Sequence, residues 1–485
     1  MQKKFKFVVV GGGTAGIIAA TMLRAYWLDN ADVTLIYDHS KPSIGVGESL
    51  TPLIYSYLRY VGITREELIK NVNATVKLGL RFENWLNDGK HYYHSFYEAN
   101  IQDEYNIGSG YDIANNNFDS GPLYSSFYHD NFVIPENPNA PQSLHIDAVL
   151  FSKYVENKFK DHLTIIDDEV VDVKLDKTGI GSLVLKNTGE YKGDFYIDAT
   201  GFQKVLFCKL NVKWNNMSDW LPINRCIPNP LDFEFKQQPT YTISEASQDG
   251  WILQVPLSNR WGTGYLYNSD FTTEEEAFER FSKFVKTKYN TTLKNTSKVL
   301  SFESGYWDKQ WVGNCICVGL ASGFSEPLEA TNIHHTVYQL MKFSDMFALR
   351  VTEYDRVNYN NVMRKFYEDV YLYLRFCYYT GRTDSEFWRY MSNNVPESIT
   401  NMAEKVRYNI LSKQTTDGDI FTYHNFTTVA NGLGIIDSES YRRELYVKTW
   451  RDRPRKTSES ILQHSLKNRS TAINHKDYID RIRNS

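Results

Sequence analysis

Two short stretches hold residue types whose spacing can do chemistry. In "VVVGGGTAGIIAA", Gly11, Gly13 and Gly16 fill a G-x-G-x-x-G frame between an apolar strand pattern and an apolar helix pattern. Gly11 permits a tight turn, Gly13 lets backbone approach a pyrophosphate, and Gly16 allows close helix–strand packing. The helix N-terminus then favours the phosphate charge. This is dinucleotide-binding chemistry. The ribose acid belongs at the end of the next strand, "ADVTLIYD", about 20 residues on. Asp38 is the candidate there, a little late, with Tyr37 before it.

The second stretch is "NATVKLGLRFENW", residues 73–85. Val76, Leu78, Leu80 and Phe82 alternate and predict one half-buried strand, with Lys77 and Gly79 on its other face. By that pattern alone Lys77 is a solvated strand lysine, because an unpaired lysine is rarely buried. The alternative is an amine held in a cavity for chemistry.

The elements that must position these residues follow from the rest of the chain. "SIGVGESLTPL" at 43–53 is glycine-punctuated at Gly45 and Gly47, either backbone near a ligand or an ordinary loop, and leads into the helical "IYSYLRYVG". Residues 96–142 are rich in Asn, Asp, Gly, Ser, Tyr and Pro and predict a long loop region, a substrate lid or a surface excursion. "SLHIDAVLFSKYVENKF" predicts a helix, followed by strands to "YIDATG", a buried strand ending in a small-residue turn. Residues 238–270 are strand-like, "EEEAFERFSKFVKTKY" is an amphipathic helix, and "CICVGLASGFSEPLEATNIHHTVYQLMKF" reads as strand, glycine loop and helix. Aromatic-rich helices dominate from about 338. The last 35 residues are polar and basic and read as frayed.

Bulk properties narrow the function classes. A chain of 485 residues predicts two or three lobes. A net charge of -4 gives no electrostatic case for nucleic acid or an anionic membrane. Cys208, Cys226, Cys315, Cys317 and Cys377 form no CxxC pair and leave an odd thiol, which argues for a reducing compartment and against a disulfide frame or zinc site. No apolar run reaches spanning length. The expected location is cytoplasmic, and composition leaves a homo-oligomer open.

Seven motifs, "GGGTAG", "IGVGES", "KLGLRFENW", "YIDATGF", "GWILQVPLSNRWGTGYLY", "GLASGFSEPLEAT" and "RTDSEFWR", occur in the order and rough spacing of flavin-dependent halogenases of the tryptophan halogenase type, over about residues 5–390. The resemblance implies an α/β fold: a Rossmann-type FAD-binding lobe of the flavin monooxygenase kind, with a sheet and a mainly helical substrate lobe. The corresponding division is a FAD-binding lobe at 1–95, 141–220 and 301–345, substrate-side loops and sheet at 96–140 and 221–300, and a helical C-terminal lobe at 346–485.

The resemblance also implies the chemistry. Reduced FAD and oxygen form a C4a-hydroperoxide, halide yields hypohalous acid, and Lys77 delivers electrophilic halogen to an electron-rich aromatic, with Glu329 assisting. The cofactor residues it implies are Gly11, Gly13, Thr14, Ala15, Gly16, Asp38, Gly47, Glu48, Ser49 and Leu320. Thr331 and Asn332 would hold halide by backbone amides, and Trp251, Leu253 and Pro256 would line a tunnel. No metal is implied. Chloride, bromide or iodide is the halide, and a separate flavin reductase supplies reduced FAD, since nothing resembles a nicotinamide site.

The chain departs from the family pattern where Ala330 and Asn332 stand for Ser and Gly, and where Leu253 stands for a second Trp. His91, Tyr93, His94 and Phe96 are further candidates to line a pocket, and "SYRRELYVKTW" to close over a substrate. Two alternatives share the flavin fold: an aromatic hydroxylase that reduces its own FAD, and a flavin-binding protein with a degenerate site.

Overall fold

A computed structural model describes residues 4–41, 47–96, 102–115, 131–133, 142–294, 298–411, 420–447 and 452–485. The chain divides by its contacts into two compact units, one of residues 1–74, 146–219 and 302–367, the other of residues 75–145, 220–301 and 368–485.

The first unit is built on a six-stranded sheet in the order Trp311–Val312, Cys315–Cys317, Phe195–Asp198, Phe5–Val10, Ala31–Tyr37, Thr164–Asp167. The pairs are parallel except at the Trp311–Val312 edge. Phe7, Val8, Val9 and Val10 are all buried, as expected of a parallel strand covered on both faces. The helix Thr14–Trp27 connects the neighbouring strands Phe5–Val10 and Ala31–Tyr37 and makes the βαβ unit expected from the sequence. Cys315 and Cys317 are buried core, and all five cysteines are free thiols. Asp198, in "YIDATG", is fully buried and takes hydrogen bonds from the amides of Thr200, Leu206 and Phe207 and from Thr200 Oγ1. It closes the turn after its strand.

The second unit holds a sheet that runs from Leu300–Ser301 through Arg225–Pro228, Arg260–Tyr267, Gly250–Pro256, Tyr241–Ala246 and Gly79–Glu83 to His91–Ser95. The helix Glu274–Tyr289 starts with a Thr273–Glu276 capping box and buries Ala277, Phe281 and Val285.

Three sequence expectations change here. Residues 73–85 form two strands, Thr75–Lys77 and Gly79–Glu83, which belong to different sheets. The first pairs with residues 143–145 and the second with Tyr241–Glu245. Leu78 is the crossing point, and its amide donates to Thr240 O at 2.6 Å. Within 96–142, Gln102–Ala114 is a helix where loop was expected. A Cβ on Gly108 would meet Ile461 at 3.0 Å and one on Gly110 would meet Ile410 at 2.9 Å, so small residues let other elements approach closely. Tertiary packing overrides the weak helix propensity. Third, the last 35 residues carry the helices Arg453–Ser470 and His475–Asn484, with His475 fully buried. The C-terminus is integrated rather than frayed.

Candidate active site

The glycine loop is shaped by what a methyl group would strike. Gly11 has φ +118° and donates its amide to Ile36 O at 2.9 Å. A Cβ there would sit 2.2 Å from Ala199 O, and one on Gly16 would sit 1.8 Å from Gly11 O. Over Gly13, by contrast, nothing lies within 4 Å of that position. Gly13 caps the helix Thr14–Trp27 without a side-chain hydrogen bond, and the first turn holds no acidic residue. Its first amides are therefore left for an anion. Thr14 Oγ1 lies 3.3 Å from Ser152 Oγ. The Ala15 methyl occupies space that a Cβ on Gly319 would need, at 2.7 Å, and Leu320 follows half-buried. These residues fit the pyrophosphate of FAD.

The other cofactor candidates stand nearby in sequence with different surroundings. Asp38 Oδ1 accepts from Ser40 Oγ at 2.6 Å and Ser40 N at 2.9 Å, bonds that hold its carboxyl below the usual range. Gly47, Glu48 and Ser49 form a short strand; desolvation pushes the Glu48 carboxyl up to about 7. Gly45 lies outside the described residues.

Glu329 ends a helical turn, Pro327–Glu329, and is only 3% exposed. Ala330 follows at φ 60°, ψ 38°, and the helix Thr331–Met346 begins after it. The left-handed residue is thus Ala330, and Asn332 is helical. Left-handed backbone costs an alanine roughly 1–2 kcal/mol. The helix start has neither a side-chain cap nor an acidic residue in its first turn. The first amides of a helix lack intrahelical acceptors, so Thr331 and Asn332 offer theirs to a small anion. Asn332 Oδ1 is buried without a hydrogen bond among the described residues. One turn on, His334 Nδ1 lies 2.8 Å from Thr51 Oγ1, and burial holds this ring down to about 4.

Lys77 is completely buried, with Nζ 5.1 Å from the centroid of the Phe96 ring. The solvated-lysine expectation from strand period therefore fails. Its strand is held by two histidines that sequence reasoning missed. His145 Nδ1 lies 2.9 Å from Thr75 Oγ1, and its Nε2 lies 3.0 Å from Thr242 Oγ1. Burial, then the Lys77 and His475 charges, keep His145 well below the usual histidine range. His475 Nε2 accepts the Val76 amide at 2.9 Å, and its Nδ1 lies 3.1 Å from Gln238 O. The only sequence signal for either was a histidine in an otherwise apolar or polar run.

The strand His91–Ser95 separates the remaining aromatic candidates by its period of two. His94 is buried, 3.2 Å from Tyr373 Oη and 2.7 Å from Asn425 Nδ2, and shares its face with Phe96. His91 and Tyr93 lie on the opposite face, where Tyr93 meets Tyr241.

The proposed wall residues lie on Gly250–Pro256. Trp251 is fully buried and its Nε1 has no hydrogen bond among the described residues. Leu253 pairs across the sheet with Ser244 on one side and Gly264 on the other, two small neighbours. Pro256 O accepts from Thr75 Oγ1 at 2.7 Å, tying this strand to that of Lys77. The "RTDSEFWR" motif is structural: Arg382 pairs with Asp384 and lies 4.0 Å over Trp388, whose Nε1 donates to Ser247 O at 2.8 Å.

Comparison with known proteins places these features in context. The family model "Tryptophan halogenase" matches residues 6–446. Tryptophan 6-halogenase SttH of Streptomyces toxytricini is 29% identical over 467 residues, covering 87% of this chain and 86% of that protein. Tryptophan 7-halogenase RebH of Lentzea aerocolonigenes is 28% identical over 437 residues, covering 83% and 81%. The solved structure of Tar14, a tryptophan C-6 flavin-dependent halogenase from taromycin biosynthesis, superposes with a TM-score of 0.88 at 25% identity, over 99% of this chain and 100% of that one.

Proposed function

Because the chain belongs to the tryptophan halogenase family, and so is a flavin-dependent enzyme of the halogenase type, we propose that Lys77 transfers electrophilic halogen to an electron-rich aromatic such as an indole or phenol. The observation that carries this is the complete burial of Lys77 beside an aromatic ring and a histidine kept neutral.

Bound reduced FAD, delivered by a separate reductase, supplies with oxygen the oxidising power that turns halide into hypohalous acid. The chain's own residues do the rest. The Thr331 and Asn332 amides hold the halide. The Lys77 ammonium donates a hydrogen bond to the hypohalous oxygen, or its neutral amine takes the halogen as a haloamine. Either way the arene carbon gains halogen and loses a proton, and the oxygen leaves as water. The Glu329 carboxylate stabilises the cationic ring and accepts that proton. Trp251, Leu253 and Pro256 line the path of the oxidant. The expected setting is cytoplasmic.

The test supplies reduced FAD, oxygen and chloride, bromide or iodide, and screens indoles, phenols and anilines by mass spectrometry. Halogenated product with at least one halide is the expected result; none with any halide defeats the proposal. NAD(P)H oxidation by the protein alone would instead favour a self-reducing hydroxylase.

A further inference from the structure

The end of the second strand is where a Rossmann fold usually offers a carboxylate to the adenosine ribose. Here that end carries Tyr37, and the neighbouring Asp38 is engaged by Ser40 on its own turn. The Tyr37 ring lies flat against the glycine loop. A Cβ on Gly12 would meet its ring carbons at 2.1 to 2.5 Å. The Tyr37 hydroxyl donates to Glu156 Oε2 at 2.6 Å.

Glu156 belongs to the helix Ala148–Phe159, one turn after Ser152, so the two share a face. Ser152 Oγ lies 3.3 Å from Thr14 Oγ1, at the first residue of the phosphate-facing helix. One face of the helix thus touches the glycine loop at Thr14 and, through Tyr37, at Gly12. Glu156 is half-exposed, and its Oε1 has no hydrogen bond among the described residues. We propose that Glu156, oriented by the Tyr37 hydroxyl, is the carboxylate that accepts the adenosine ribose hydroxyls of FAD, in place of an acid at the strand end. The proposal rests on the flavin reading above. A carboxylate on a separate helix, aimed by a phenol, does the work of a side chain on the strand itself, because both reach the rim of the same loop.

The test measures flavin affinity, not turnover, by fluorescence titration of the purified protein. The ligands are FAD, its analogue with 2′-deoxyribose in the adenosine, and FMN. Wild type should prefer FAD to the deoxy analogue. Glu156→Gln should weaken FAD about tenfold, the loss of roughly one charge-assisted hydrogen bond, and should abolish that preference while leaving FMN affinity unchanged. Tyr37→Phe should lose part of the preference, and Asp38→Asn none of it. Three results overturn the assignment: undiminished preference in Glu156→Gln, equal losses of FAD and FMN affinity, or loss of preference in Asp38→Asn. Absence of FAD binding by wild type would overturn the flavin reading itself, a distinct outcome.

Discussion

The glycine loop and the Lys77 strand solve opposite problems. The loop is made from contiguous backbone and works by what it lacks. Gly11 and Gly16 leave no room for a methyl group, and Gly13 leaves open space. The strand Thr75–Lys77 is made from side chains that converge from far along the chain: His145, Thr242, Gln238 and His475. A binding loop of backbone amides tolerates almost no addition. A buried strand held by side-chain hydrogen bonds tolerates almost no removal, because each deletion strands a polar partner away from water.

The largest expected effect tests the lysine directly. Lys77→Ala should lower halogenated product about 10²- to 10⁴-fold, the range for a positioned acid–base group, with FAD affinity unchanged by fluorescence titration. Normal halogenation by that variant would return Lys77 to a packing role. On the loop, Gly16→Ala should destabilise by about 1–3 kcal/mol or more through overpacking against Gly11 O. Thermal melts with and without FAD would register this, and an unchanged Tm would show that the loop yields.

His475→Ala sharpens the contrast from the other side. It removes the acceptor for the Val76 amide, so stability should fall by about 1–3 kcal/mol, read as a lower Tm. Product formation should drop while FAD affinity holds; loss of FAD affinity instead would make the effect a general one.

Two buried groups, His145 and Glu48, should answer acid with opposite sign. His145 is held neutral well below the usual histidine value, so the unfolded chain takes up a proton below about 6.5 that the fold refuses. Its contribution to stability falls as pH drops below 6.5. Glu48 is raised to about 7 from 4.5, so between those values the fold holds a proton the unfolded chain has lost. Its contribution rises as pH drops from 7 to 4.5. Relative to His145→Gln, wild type should lose stability on acidification, and relative to Glu48→Gln it should gain about 3 kcal/mol between pH 7 and 4.5. Parallel slopes for the two variants would erase the distinction. The smallest effect is expected for Leu253→Trp, which adds an indole between the small residues Ser244 and Gly264. It should change kcat/KM by about tenfold or less, read as the bromide-to-chloride product ratio.

Much of the first unit was legible because its signals are local. An apolar run, glycines at fixed spacing and a second apolar run specify a βαβ unit within about 30 residues, and the structure has it. The lysine strand was misread for a matching reason. Period two is a statement about one sheet, and the chain changes sheets at Leu78, so both Lys77 and its alternating neighbours are buried. The helix Gln102–Ala114 was hidden by its Gly, Asp, Asn and Ser content, which reads as loop until Ile410 and Ile461 are seen filling the space above its glycines. Asp38 stands where a strand-end acid is expected, whereas Glu156 lies more than 100 residues on, in the helix Ala148–Phe159, and only folding brings it to Tyr37.

The flavin-type α/β fold, the tight turn of the glycine loop and the family of the chain are readable from the sequence alone. Those depend on backbone conformation and on motifs in fixed order, which are written in adjacent residues. The burial of Lys77, the left-handed turn at Ala330 instead of Asn332, and the grip of His475 on the lysine strand from almost 400 residues away emerge in the folded chain. Burial and hydrogen-bond partnership are set by which distant segments exclude water together, and no local spacing records that choice.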